Sequence, residues 1–129
     1  MIRTCRLSLL ALCMLAFPVA ALADDAGLAA RLVGKWEGQW AFAENKGNLA
    51  VKITAAKGAT VDGEMTWFGT VAGDVPDRFS GAKLKNRRLE VSGDTMNFVA
   101  TVSEDEKSMD GRWSNNFGAT GAIKLKKVE

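Results

Sequence analysis

Histidine and tyrosine are absent from this 129-residue chain, and cysteine and proline occur only twice each. Without an imidazole there is no base for a Ser-His-Asp or Cys-His nucleophile, which excludes acyl-transfer chemistry of those kinds. Zinc, copper and haem normally take His, Cys or Tyr donors. What remains is the thioethers Met65, Met96 and Met109, which read as core filler. No metal and no cofactor is expected. The acidic stretch SEDEKSMDG, Ser103 to Gly111, lacks the ligand spacing of a calcium loop and reads as a solvated hairpin turn.

The first residues have the grammar of a secretory leader. Arg3 and Arg6 precede an apolar run from Leu7 to Leu22, and small residues stand at Ala21 and Ala23 before Asp24. The run is broken by Pro18 and falls short of the ~20 apolar residues a spanning helix needs. Residues 1–23 are therefore expected to be a cleaved signal peptide, and residues 24–129 a single exported domain, periplasmic or extracellular. Both cysteines, Cys5 and Cys13, fall in the leader, so the exported part holds no disulfide and depends on packing. A lipid anchor on Cys13 is disfavoured because Leu12 stands where a small residue is expected. Removing Arg3 and Arg6 from the 17 basic residues leaves 15 against 15 acidic ones, a balance that gives no steering toward nucleic acid.

What the chain does have is glycine, 13 residues, and four tryptophans, set in strict alternation. After Asp25 to Val33, where Leu28, Leu32 and Val33 sit at helical spacing, the period changes to two. In GKWEGQWAF, Gly34, Trp36, Gly38, Trp40 and Phe42 share one face while Lys35, Glu37 and Gln39 take the other. The same pattern continues through Leu49 to Ala55, Val61 to Trp67, Arg78 to Leu84, Arg88 to Val91, Met96 to Val102, Met109 to Trp113, and Gly118 to Lys127. Two longer loops, 43–48 and 69–77, interrupt it.

Eight short strands with no helix between them predict an all-β fold, an antiparallel up-and-down barrel whose closure removes exposed edges, preceded by a short helical turn. The inward faces supply Trp36, Trp40, Leu49, Val51, Ile53, Val61, Met65, Trp67, Phe79, Leu84, Leu89, Val91, Met96, Phe98, Val102, Met109, Trp113, Ile123 and Leu125. The outward faces carry Lys52, Asp62, Glu64, Asp110, Arg112, Lys124 and Lys126, which argues against a lipid-facing barrel. Asp62 and Glu64 fall on that wet face, so the pair is not read as a catalytic acid and base, and the protein is read as non-enzymatic. Lys83, Lys85, Arg87 and Arg88 form a basic edge, a solvated strand margin or a contact for an anionic partner.

A helical turn followed by Gly-x-Trp (Gly34, Lys35, Trp36) at the start of an eight-stranded meander resembles the calycins, the superfamily of lipocalins and avidins. The resemblance implies a ligand-holding barrel and a basic residue of the last strand, Lys124, Lys126 or Lys127, covering Trp36. It does not extend to the lipocalin disulfide or to the tyrosine-containing biotin site of avidins. None of the biotin ligands is carried over.

Two functions follow. One is a binding module with an apolar pocket at the barrel mouth, its candidate walls drawn from Trp36, Trp40, Trp67, Trp113, Met65 and Phe98. The other is a filled barrel that grips a protein through loops 43–48 and 69–77, as an inhibitor or envelope interaction module. The partner classes left open are a small apolar ligand, a protein held through those loops, and a second copy of the chain. The glycines on the inner face have two readings, curling the sheet around the indoles or leaving an opening at one end.

Overall fold

A computed structural model describes residues 24–129. The leader assigned to residues 1–23, with Cys5 and Cys13, lies outside the described residues. A helix, α1 (residues 24–32), leads into eight strands: β1 (Gly34–Phe42), β2 (Asn45–Lys57), β3 (Thr60–Thr70), β4 (Gly73–Lys85), β5 (Arg88–Ser92), β6 (Met96–Val102), β7 (Ser108–Asn115) and β8 (Thr120–Lys127). Each strand pairs antiparallel with the next, and β1 also pairs with β8, so the sheet closes into an up-and-down barrel. Closure gives every strand a neighbour on both sides, although β4 meets β5 only over residues 83–85.

The inward set read from the alternation is buried throughout, from Trp36 to Leu125. Ala82 and Ala100 join it, with Leu28, Ala29 and Leu32 from the inner face of α1. Val33 is exposed instead, because the helix ends at residue 32 and Val33 serves as the link to β1.

Two local irregularities depart from strict alternation. Between Ile53 and Ala55 the β2–β3 register slips by one, so Ala56 rather than Ala55 packs on the core. In β4, Ser80 and Gly81 are both inserted opposite Asp62, which lets Phe79 and Ala82 face inward although their numbers differ in parity. Gly81 has φ 65°, and its N–H donates to Asp62 Oδ1 at 2.8 Å, so the amide freed from the ladder finds an acceptor.

The two predicted loops are almost entirely strand. Only residues 43–44 separate β1 from β2, and only 71–72 separate β3 from β4. The polar and glycine-rich residues that suggested loops pair instead: Asn45 to Asn48 in register with Phe42 to Gln39, and Gly73 to Asp77 with Thr70 to Met65 across a one-residue register shift. β2 and β4 thus reach 13 residues each, and together with β3 they raise one side of the barrel at the end away from α1.

That division of the two ends places the site. At the α1 end, Arg31 makes a two-pronged ion pair with Glu106 in the β6–β7 turn, at 2.6 and 3.1 Å. The Asn86 N–H of the β4–β5 turn donates to Asp25 Oδ1, and Lys127 Nζ donates to the Arg31 carbonyl. The helix therefore plugs this end. Trp36 Nε1 donates to the Leu32 carbonyl at 2.9 Å beneath it, and Lys127 stands opposite Trp36 on β8, which singles it out among the three lysines the resemblance offered. Arg87, one of the basic cluster, spends its guanidinium on the Val102 and Ser103 carbonyls and is a structural contact rather than a free charge.

At the other end Asp77, assigned to a loop by sequence, is a buried carboxylate of β4. Oδ1 accepts from the N–H groups of Arg78 and Asp94, and Oδ2 from those of Thr95 and Met96, all at 2.8 to 2.9 Å. It fixes the β5–β6 turn. Burial pushes its carboxyl up, but the four main-chain donors outweigh burial and hold it below its ordinary value. A depressed folded value means that the stabilisation is present above the unfolded value of 3.8 and is lost as pH falls through the folded one. Asp77→Asn should therefore cost about 2 kcal/mol at pH 7, with the gap to wild type narrowing below about pH 4, as read by urea unfolding across pH.

Candidate functional site

The barrel end opposite α1 is open. A cavity of about 460 Å³ lies there, lined by Trp40, Trp67 and Trp113 with Phe42, Val75, Met96, Phe117 and the tips of the β3–β4 and β7–β8 turns. A larger concavity, about 550 Å³, lies on the outer surface over β1 to β4 and is walled by Lys35, Glu37, Lys52, Glu64 and Arg78. Its ionic, water-exposed wall offers little to an apolar ligand, so the mouth is the candidate site.

Of the six residues singled out from the sequence, the structure gathers Trp40, Trp67 and Trp113 around this cavity. Trp36 is at the opposite end, sealed beneath the helix, while Met65 and Phe98 are buried among the core side chains and do not line the mouth. Met96, Val75, Phe42 and Phe117 line it without having been singled out. Phe42 shares the face of Trp36 and Trp40 in the alternation. It is 42% exposed, because β1 ends there, and its ring meets Trp113 edge to face at 5.8 Å on the rim.

The placement of the indoles follows a rule visible only in the register. Trp40 on β1 stands opposite Gly47 on β2, and Trp113 on β7 stands opposite Gly121 on β8. Each indole crosses the strand that carries the glycine and reaches a carbonyl of the strand beyond. Trp40 Nε1 donates to Phe68 O on β3, and Trp113 Nε1 donates to Ala41 O on β1, both at 2.9 Å. A Cβ on Gly47 would strike the Trp40 ring, and one on Gly121 would strike the Ala41 carbonyl and Trp113 Nε1. At these two positions the glycines make room for rings, in the manner of aromatic residues shielding strand glycines.

Trp67 is the exception. On β3 it stands opposite Leu49 on β2 and Val75 on β4, neither of which leaves a path across the neighbouring strand. Its Nε1 is the one buried side-chain N or O atom without a hydrogen-bond partner among the described residues. An unpaired buried donor of this kind costs about 1–3 kcal/mol. The ring itself packs edge to face on Trp113, at 6.1 Å, and Trp113 meets Trp40 at 6.4 Å, so Trp113 joins all three indoles into one wall.

Asp77 supports the facing wall, since the amides it holds belong to Thr95 and Met96, both of which line the cavity. Beyond the cavity the rim is apolar and wet. Val71 is fully exposed at the β3–β4 turn and Phe117 is 88% exposed at the β7–β8 turn. Neither turn tip carried a periodic signal, because periodicity reports faces of strands and says nothing about what stands beyond their ends. No helix among the described residues is long and apolar enough to cross a membrane.

The indole geometry yields a direct test. Gly121→Ala should destabilise the protein by about 2 kcal/mol in denaturant unfolding, because its Cβ meets main chain that cannot withdraw, and the near-ultraviolet circular dichroism of the Trp113 cluster should weaken with it.

No protein-family model matches the sequence. None of the curated proteins matches it either. Among solved structures the chain is similar to a de novo designed fluorescence-activating β-barrel, at 15% identity and a TM-score of 0.60 over 78% of this chain and 97% of that one. At that identity the likeness speaks to the fold alone, and what it shows is an eight-stranded antiparallel β-barrel.

Proposed function

We propose that this protein is an exported, non-enzymatic, calycin-like carrier that holds one small apolar or amphipathic ligand in the mouth of its barrel. The observation that carries the reading is the cavity itself: about 460 Å³, at the end not plugged by α1, walled by three indoles with Met96 and Val75. Its volume falls in the range of roughly 300–1,000 Å³ common to small-molecule sites, and apolar walls with few polar groups are what such sites use. Export rests on the leader grammar of residues 1–23. The designed barrel of similar fold is described as fluorescence-activating, and from it this reading takes only that such a barrel can be given a function.

The apolar rim extends the cavity outward, so a ligand with a tail would leave the mouth along Phe42, Val71 and Phe117. Titration of the protein with small aromatic and acyl ligands, followed by indole emission, should give saturable changes. Val75→Trp, which fills the space beside Trp67, should weaken binding at least tenfold with little effect on the melting temperature. Indole emission that no ligand perturbs, or affinity untouched by the filled mouth, removes the proposal.

The exposure of Val71 and Phe117 also favours a second reading, in which the rim grips a protein partner as an inhibitor or envelope interaction module. Here Val75→Trp separates the two. It should leave capture of such a partner within twofold of wild type while small-ligand binding to the filled cavity is lost, whereas Val71→Ser with Phe117→Ser should abolish the capture.

A further inference from the structure

We infer that the ligand of the mouth cavity is an aromatic or otherwise flat apolar molecule bearing a hydrogen-bond acceptor, a carbonyl-type oxygen, and that Trp67 Nε1 is the donor that reads it. This rests on the mouth being a ligand site and says which chemical class it takes.

Three of the four indoles in the chain have their N–H claimed by main-chain carbonyls: Trp36 by Leu32, Trp40 by Phe68 and Trp113 by Ala41. Trp67 has none, although it is 1% exposed and its Nε1 is shut off from bulk water. Buried polar groups in folded proteins are almost always paired, and an exception asks for an explanation. A phenylalanine would fill a core position between Leu49 and Val75 without stranding a donor. The stranded donor belongs to a side chain of the cavity wall that packs on Trp113, in a lining that is mostly apolar, with Asn45, Lys46, Thr70, Thr95 and Asn115 as its polar members. A ligand oxygen entering from the mouth would satisfy it by displacing the side chains that cover Nε1 in the free protein. The flanking indoles, set edge to face around Trp113, present ring faces and edges of the kind that aromatic bodies pack against.

This arrangement also sets selectivity. A site with one buried donor discriminates against an isosteric ligand without an acceptor, because the donor then stays unpaired in the complex as well.

The test uses the protein labelled with 15N at tryptophan, whose four residues give four indole signals, and two probes of nearly equal shape, 2-acetylnaphthalene and 2-isopropenylnaphthalene. Trp67→Phe identifies the Trp67 signal. In the free protein that signal should lie upfield of the three hydrogen-bonded indoles. With 2-acetylnaphthalene it should move downfield and exchange more slowly with solvent, and this probe should bind at least tenfold more tightly than the isopropenyl analogue. In Trp67→Phe the two probes should bind alike. Should the variant not fold, the signal shift and the affinity ratio in the wild-type protein still decide. Equal binding of both probes to the wild type with the Trp67 signal unmoved overturns the acceptor inference and leaves the carrier reading standing. If neither probe perturbs any of the Trp40, Trp67 or Trp113 signals, both fall.

Discussion

An eight-stranded barrel encloses a column barely wider than the side chains that fill it, and this limit governs the whole molecule. Four indoles cannot all stand upright in such a column. Two of them, Trp40 and Trp113, lie across the wall instead, over Gly47 and Gly121, and tie their N–H groups to the strand beyond. Trp36 is placed under the helix, where a main-chain carbonyl is free. Trp67 is left between Leu49 and Val75 with its donor unclaimed. The composition of the cavity wall is therefore a consequence of how bulky rings are fitted into a closed sheet.

The two ends of the barrel are finished in opposite ways. Polar and ionic contacts from Asp25, Arg31 and Lys127 draw α1 down over one end, and Leu28, Ala29 and Leu32 complete the core there. At the other end no element of the described residues covers the opening. The long strands β2 and β4 rise past it, and Asp77 fixes the β5–β6 turn that forms part of the opposite wall. A buried carboxylate surrounded by four main-chain donors makes a rigid support, because each donor lost would be left unpaired. The rigid walls and the exposed rim together are what the proposed carrier reading of the mouth rests on.

Much of this was legible in the residues before any coordinates. Alternation reads the facing of a strand directly, so residues such as Ile53, Leu89 and Ile123 were placed inward by position alone, and all are buried. Alternation fails where an extra residue enters a strand. Ala55 and Ala56 exchanged roles at the β2 bulge, and Gly81 shifted the phase of β4, because a bulge changes parity without leaving a mark in hydrophobicity. The segments 43–48 and 69–77 read as loops because asparagine, glycine and Pro76 are poor strand formers, yet each gains ladder partners that outweigh its own preference.

The sequence by itself determined a histidine-free, antiparallel, closed β-fold with its tryptophans inside, since these follow from composition and from a side-chain period of two. Only the tertiary structure decided which tryptophans share a cavity, which glycine lies beneath which ring, and which indole keeps a free donor. Those depend on register between strands far apart in sequence, as with Trp113 and the Ala41 carbonyl, and on which end of the column the helix occupies. Pairing across the sheet is a property of the closed assembly, and no window along the chain contains it.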